Sequence, residues 1–471
     1  MDRAAFPKLR LPFVTTRITT DIVLFFCLLP LWMILGITQF LGPILMISLV
    51  FKLLILRSKQ KGEIVIPFFP FSAMAAFLLS SLISGLNIKE DKWNLVFLRN
   101  FIVYAGALSL FLVVINIARN ERDLLKIIRG LNVMVFIASL FGLAVVLGLI
   151  PIQPEMVAPV SRLLPESIRE SEFFARVVHP GFGDTITLEI FNLRVKRINS
   201  IFPYANIYAA ALIMVLPFQV FLLSISRGWR RILTLGNIFL VSLNVFFTYS
   251  RSALLALVFG FLGFRYLRGS RFLGFLKKPV ILISLVVLLL LFFLVLRGPL
   301  LESKSWSTSV RSLIFEKSIE SWKEKPVFGW GTDRNMEVVG ESPRLPPLGS
   351  HFYYLTILYR YGLAGLILFA AIIGMILREI GKVSQLAGRA PFAGRLGLYA
   401  AWAFFMILIQ AAFIVMDYDV VVLFLMWLNW GIIVAVRIML EKREAVGKTD
   451  AGRKPMALGL TGEGGFSDAG S

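Results

Sequence analysis

The sequence predicts an all-α polytopic membrane protein with about twelve transmembrane helices and two long outward loops that contain short helices. Three observations predict this. Of the 471 residues, 58% are hydrophobic, where soluble domains average about 45–50%. The apolar residues gather in runs of roughly 17–25, the length that crosses about 30 Å of hydrocarbon at about 1.5 Å per residue. Short alternating segments of the kind that close into a transmembrane barrel are lacking.

The expected spans are 21–37, 39–56, 64–86, 95–117, 127–150, 201–225, 232–248, 252–267, 279–296, 352–377, 395–415 and 419–440. Gly42-Pro43 is expected to break the chain between the first two. Arg3, Lys8, Arg10 and Arg17 precede the first run, and no small-residue cleavage site follows it, so a retained first helix is expected. Cys27 is the single cysteine, which excludes an intramolecular disulfide.

The formal net charge of +21 follows from loop asymmetry, without any need for nucleic acid as a partner. Basic residues crowd alternate connections: Lys52, Arg57, Lys59 and Lys61, then Arg227, Arg230 and Arg231, then Arg265 to Lys278, then Arg378 to Arg395. The connections between them are balanced or acidic, as at Lys89 to Lys92 and at Asp417 and Asp419. Both termini are therefore expected on the cytoplasmic side. Residues 1–440 read as a single membrane domain, and 441–471 as a disordered cytoplasmic tail rich in Gly, Lys and Ala.

The outward loops are 151–199 and 297–351. Loops of this length are usually functional. In the second, Ser307, Thr308 or Ser309 can cap a helix that Pro326 stops. Val310, Ile314, Phe315, Ile319 and Trp322 form its apolar stripe, opposite Glu316, Lys317, Glu320, Lys323 and Glu324. Such a helix suits the membrane surface, with Trp306, Trp322 and Trp330 at headgroup depth. Phe328-Gly329-Trp330-Gly331 then reverses the chain.

Few residues outside the lipid can do chemistry. His351, one of two histidines, stands where the second loop meets an apolar span. It reads either as an interfacial cap or as a general base facing a sugar hydroxyl. His179, before Pro180-Gly181, reads as an ordinary loop histidine. Arg251 lies in the short turn Thr248-Tyr249-Ser250-Arg251-Ser252 between two spans. It is either a functional charge or one that snorkels to headgroups. Arg311 opens the loop helix, and Arg197 stands at the mouth of the sixth span. Three guanidinium groups and one imidazole suit a pyrophosphate-bearing substrate whose lipid tail stays in the membrane. The sequence has no Cys/His cluster or paired-histidine zinc spacing, no Gly-rich phosphate loop and no Gly-x-Ser-x-Gly elbow. Acidic residues are nearly absent from the spans, which argues against a proton-coupled transporter. Asp417 and Asp419 read as a solvated turn.

Taken together, four strings resemble the O-antigen ligase and O-antigen polymerase superfamily of bacterial envelope enzymes. They are Arg197-Ile198-Asn199-Ser200-Ile201-Phe202-Pro203-Tyr204-Ala205-Asn206, then Ser250-Arg251-Ser252, then Arg311 followed by Glu324 to Gly331, and last His351 with Gly362-Leu363-Ala364-Gly365. The resemblance covers about 195–370. It implies an inverting glycosyltransferase of the bacterial inner membrane, with neither cofactor nor metal. The donor would be a glycan on undecaprenyl diphosphate, and the acceptor a glycan or lipid, among membrane lipids and other envelope polysaccharide assembly proteins. His351 would activate the acceptor hydroxyl, and Arg251 and Arg311 would hold the diphosphate. Arg197, Asn206 and Tyr354 would contact substrate. Ligases and polymerases share these strings, and the reading leans toward polymerase. The family usually carries Asn, Ser or Gln after the histidine, and here Phe352 stands there. The alternative, a transporter or lipid-carrier flippase, requires ionisable residues at mid-span and repeat symmetry.

Overall fold

The computed structural model describes residues 14–59, 63–88, 91–118, 120–153, 157–163, 178–188, 193–267, 306–342 and 345–452. Among them run α1 (Val14–Cys27), α2 (Leu29–Ile34), α3 (Thr38–Lys59), α4 (Phe68–Gly85), α5 (Asp91–Ile117), α6 (Glu121–Val146) and α7 (Ala205–Ile225). They are followed by α8 (Trp229–Phe247), α9 (Arg251–Leu267), α10 (Trp306–Trp322), α11 (Tyr353–Leu386), α12 (Pro391–Ala411) and α13 (Val420–Gly452). The protein is an all-α polytopic membrane protein, and nine of these helices are long and apolar enough to cross a membrane. Every expected span falls on a helix except 279–296, which lies outside the described residues.

The first break is not where the sequence suggested. It falls at Leu28, ahead of Pro30, and again at Gly36, whose φ is 75°. Pro43 lies inside α3 instead, because α5 packs directly over it: a Cβ on Gly106 would stand 2.7 Å from the Pro43 Cα. Close approach through glycine recurs where α9 lies on α12. There a Cβ on Gly260 would come within 2.2 Å of Met406, and one on Gly263 within 2.9 Å of Phe405. Helices in lipid gain stability from such contact rather than from excluding water. At the centre is α13, the most enclosed candidate span, with Phe424, Trp427 and Trp430 fully buried. A helix apolar all round belongs inside a bundle. It continues through Gly452, past the expected start of the tail at 441, and residues 453–471 lie outside the described residues.

Short helices were expected in the first outward loop. Its described part holds one 3-10 turn (Pro159–Leu163) and an antiparallel hairpin, β1 (Gly183–Leu188) with β2 (Leu193–Ile198). The alternation of Leu193 and Val195 with Arg194 and Lys196 has the period of a strand, which accounts for the difference. Asp184 stands opposite Arg197 in this ladder.

The described part of the second long segment caps the bundle. Its helix α10 buries Val310, Ile314, Ser318 and Ser321, whereas Phe315 is half exposed. The expected stripe was therefore rotated: small serines, not the larger Phe315, Ile319 and Trp322, let the following loop come close. Val310, Ile314, Trp330, Met336, Leu348 and Tyr359 form a separate small core. Trp330 belongs to it rather than to the headgroup level. Its indole N–H donates to the Ser321 carbonyl at 3.0 Å, and the Arg334 guanidinium lies 3.9 Å above its ring centre.

The cap locks onto α11 at a kink. Gly362 has φ 65° and ψ −166°, which interrupts the helical hydrogen bonds. The carbonyls of Tyr359 and Arg360 accept instead from the amides of Trp330 (3.0 Å) and Gly331 (2.7 Å). The amides of Leu363 and Ala364 donate to the carbonyls of Pro326 (2.8 Å) and Val327 (3.0 Å). A Cβ on Gly362 would stand 2.3 Å from the Val327 oxygen, so only glycine fits. The expected turn at 328–331 and the glycine after the histidine are thus the two halves of one joint.

Candidate active site

His351 precedes α11 by two residues and is half-buried. Its backbone is left-handed, with φ 73°. A non-glycine residue holds that conformation only where its surroundings fix it. They do here. The amide of Gly349 donates to Ser318 Oγ on α10 at 2.7 Å, and Thr356 Oγ1 on α11 donates to the Gly349 carbonyl at 2.5 Å. The amide of Leu348 donates to the Arg334 carbonyl at 2.9 Å. Two helices therefore set the position of the loop that carries the imidazole, and one of them, α10, also carries Arg311.

Burial lowers the His351 pKa to about 4, and the nearby charge of Arg311 adds to the effect. The ring is neutral at physiological pH and can accept a proton. Arg251 begins α9, where Ser250 Oγ accepts from the Ala253 amide at 3.4 Å. The pKa of Arg251 is pushed down by burial and by the charge of Arg311. Arg197 is lowered by burial, with Asp184 opposing and with Arg311 and Arg251 acting in the same direction as burial. These mutual influences bring all four residues into one neighbourhood. Arg251 and Arg311 are exposed and have no ion-pair partner among the described residues. Like charges gathered without a counterion make an anion site.

Arg197 differs from the other two. Its Nε donates to the Thr248 carbonyl at 3.0 Å and one terminal nitrogen to Asn206 Oδ1 at 2.8 Å. It thereby ties the mouth of α7 to the turn that presents Arg251. The non-glycine residues with positive φ among the described residues are Ser200 and His351, each within one of the strings singled out from the sequence, and Tyr249, in the turn that presents Arg251. Each such residue costs about 1–3 kcal/mol, and such strain clusters at functional sites.

Residues 236–370 match the family model described as O-antigen ligase. This match supports placing the chain with the O-antigen ligase and polymerase superfamily. No curated protein matches it. The family match supports a glycosyl-transferring membrane enzyme of the O-antigen ligase type, and that family implies lipid-linked glycan substrates.

The remaining expected substrate contacts at the candidate site find other partners. Asn206 holds Arg197, as above. Tyr354 turns into the bundle, where its hydroxyl donates to the Leu408 carbonyl of α12 at 2.8 Å. Phe352, where the family usually carries a polar residue, packs edge-on against Phe315 of α10 with ring centres 5.9 Å apart. This aromatic contact joins the histidine loop to the helix of Arg311.

Sequence reasoning missed a buried charge network beneath the candidate site. Arg360 of α11 donates through Nε to Asp333 Oδ1 at 2.6 Å, through one terminal nitrogen to Asp333 Oδ2, and through the other to Asp417 Oδ2 at 2.5 Å. Tyr104 Oη donates to Asp417 at 3.0 Å and lies 2.7 Å from Tyr353 Oη. Arg99 donates to the Asp417 carbonyl at 3.0 Å. Asp417 is 1% exposed and Asp419 0%, so the solvated turn expected there is a buried one. Asp419 Oδ1 accepts from the Val421 amide at 2.8 Å and caps α13. The signal was available: an arginine inside an apolar span requires a partner.

Proposed function

We propose that the protein transfers or polymerises undecaprenyl-diphosphate-linked oligosaccharide at the outer face of the bacterial inner membrane, by inversion and without a metal. The observation that carries the reading is the gathering of one neutral imidazole with two unpaired guanidinium groups where the cap meets the bundle. Both termini would then be cytoplasmic, as the loop charges require.

The acceptor hydroxyl gives its proton to the His351 imidazole as its oxygen attacks the anomeric carbon of the donor. The bond from that carbon to the diphosphate oxygen breaks, and the electron pair leaves with undecaprenyl diphosphate. Arg251 and Arg311 meet the charge that grows on the leaving oxygens. The N-terminus of α9 adds its partial positive charge at Arg251. Asn206 and Arg197 keep that turn in place. Guanidinium groups supply the cationic charge that a divalent ion supplies elsewhere, so transfer by purified protein is expected to persist in excess chelator. Loss of activity restored by a divalent cation would overturn the metal-free mechanism.

The fork geometry of guanidinium decides the principal test. Arg251→Lys and Arg311→Lys keep the charge but lose bidentate contact. Each is expected to lower kcat/KM about 10- to 100-fold, which corresponds to about 1.4–2.8 kcal/mol. Wild-type kinetics in Arg251→Lys would instead indicate a headgroup contact.

The pH profile follows from His351. A base with a lowered pKa stays active at acidities that would silence ordinary histidine. The acid limb of kcat/KM, which reports free enzyme, is expected near pH 4. Bound diphosphate offsets the Arg311 charge and adds negative charge, which favours the imidazolium. The acid limb of kcat is therefore expected at higher pH than that of kcat/KM. Coincident limbs near 6.5 would remove His351 from the step.

A further inference from the structure

The first outward segment holds a polar recess of about 390 Å³, lined by Gln153, His179, Asp184 and Asn199 with Gly183 and Pro203 between them. Its size lies in the lower range of small-ligand sites, about 300–1,000 Å³. Gln153, His179 and Asp184 are exposed at the recess. Asn199 is buried and fixed, its Nδ2 donating to the carbonyls of Gly181 at 2.7 Å and Phe202 at 2.6 Å. None of these side chains takes part in the transfer step above.

The recess adjoins the cationic cluster. Asp184 faces Arg197 directly across the hairpin, and directly opposed side chains have Cβ atoms about 4.5–5.5 Å apart. Asn199 and Pro203 belong to the same string as Arg197 and Asn206. One wall therefore serves both places. The chemistry of the lining selects the ligand. A carboxylate disfavours a phosphate group, and the polar rim disfavours a lipid tail. Amide, imidazole and carboxylate groups together offer the donors and acceptors that vicinal hydroxyls need.

We propose that this recess is a saccharide subsite that holds one sugar unit of a glycan substrate next to the reacting bond. The inference rests on the functional reading above. It gives His179 a role in binding, through contact with sugar hydroxyls. The donor and the acceptor are both glycans, so the sugar can come from either.

The test uses the full chain in lipid nanodiscs with two probes. One is the repeat-unit oligosaccharide released by mild acid from the carrier that accumulates in a deletion strain. The other is farnesyl diphosphate. His179→Ala and Gln153→Ala, both at exposed positions, are expected to weaken oligosaccharide binding roughly tenfold and to leave farnesyl diphosphate binding unchanged. In turnover they are expected to raise KM for one glycan with kcat within about twofold, and whichever KM rises identifies the source as donor or acceptor. Unchanged oligosaccharide binding in both variants overturns the subsite, as does a fall in kcat alone. Arg311→Ala serves as the separate control. If it leaves farnesyl diphosphate binding intact, the diphosphate reading itself fails, whatever the recess variants do.

Discussion

His351→Asn is expected to reduce glycan transfer by at least about 100-fold while the protein remains folded in the membrane, since a positioned general base contributes typically 10²–10⁴-fold. Asparagine is the informative choice because of the backbone. His351 sits at φ 73°, a region that asparagine adopts more readily than most residues. Alanine would add strain to the loss of the imidazole, and the two effects would be confounded. Asn keeps polarity and the left-handed turn but has no proton acceptor in the needed pKa range. The check is the initial rate with purified lipid-linked glycan, beside the amount of protein in the membrane and the surface glycan of complemented cells. A residual rate above about a tenth of wild type would leave His351 only a structural role in its left-handed turn.

The span pattern was legible because lipid imposes a length and a composition on every crossing helix, and α3 to α9 and α11 to α13 begin within a few residues of their expected spans. The strings that carry Arg197, Arg251, Arg311 and His351 were also legible, since few polar residues occur in that context. Contacts between strings were not. Nothing in Gly329 or Gly362 read alone says that their backbones pair, yet the Cβ clearances make each the reason for the other. The rotation of α10 was missed because its buried face was sought among the large apolar residues alone, with polar positions left out. Ser318 is instead buried, with its hydroxyl spent on the Gly349 amide. Asp417, read as part of a solvated turn, is likewise buried. A charge looks solvated in sequence until its partner, 57 residues away in Arg360, is found.

That pair gives the second large effect. Arg360→Met is expected to destabilise the protein by about 3–5 kcal/mol, because it leaves Asp333 and Asp417 buried without their cation. Against a typical total of about 5–15 kcal/mol, this is a large share. The pair itself need not be stabilising: replacing all the charges together can be neutral, and only breaking it is costly. Arg360→Met/Asp333→Asn/Asp417→Asn is therefore expected to recover much of the loss, and thermal unfolding in detergent measures both. A single variant within about 2 °C of wild type would show that the network bears little weight. The functional consequence follows from connectivity. Asp333 comes two residues after Gly331 in the joint with α11, and Arg334, its neighbour, accepts the Leu348 amide that leads to His351. The triple variant thus separates two roles of the network. If folding returns but transfer does not, the ionic contact sets the position of the histidine loop. If both return, uncharged substitutes hold that loop equally well, and the charges serve only the packing of α11 against α13.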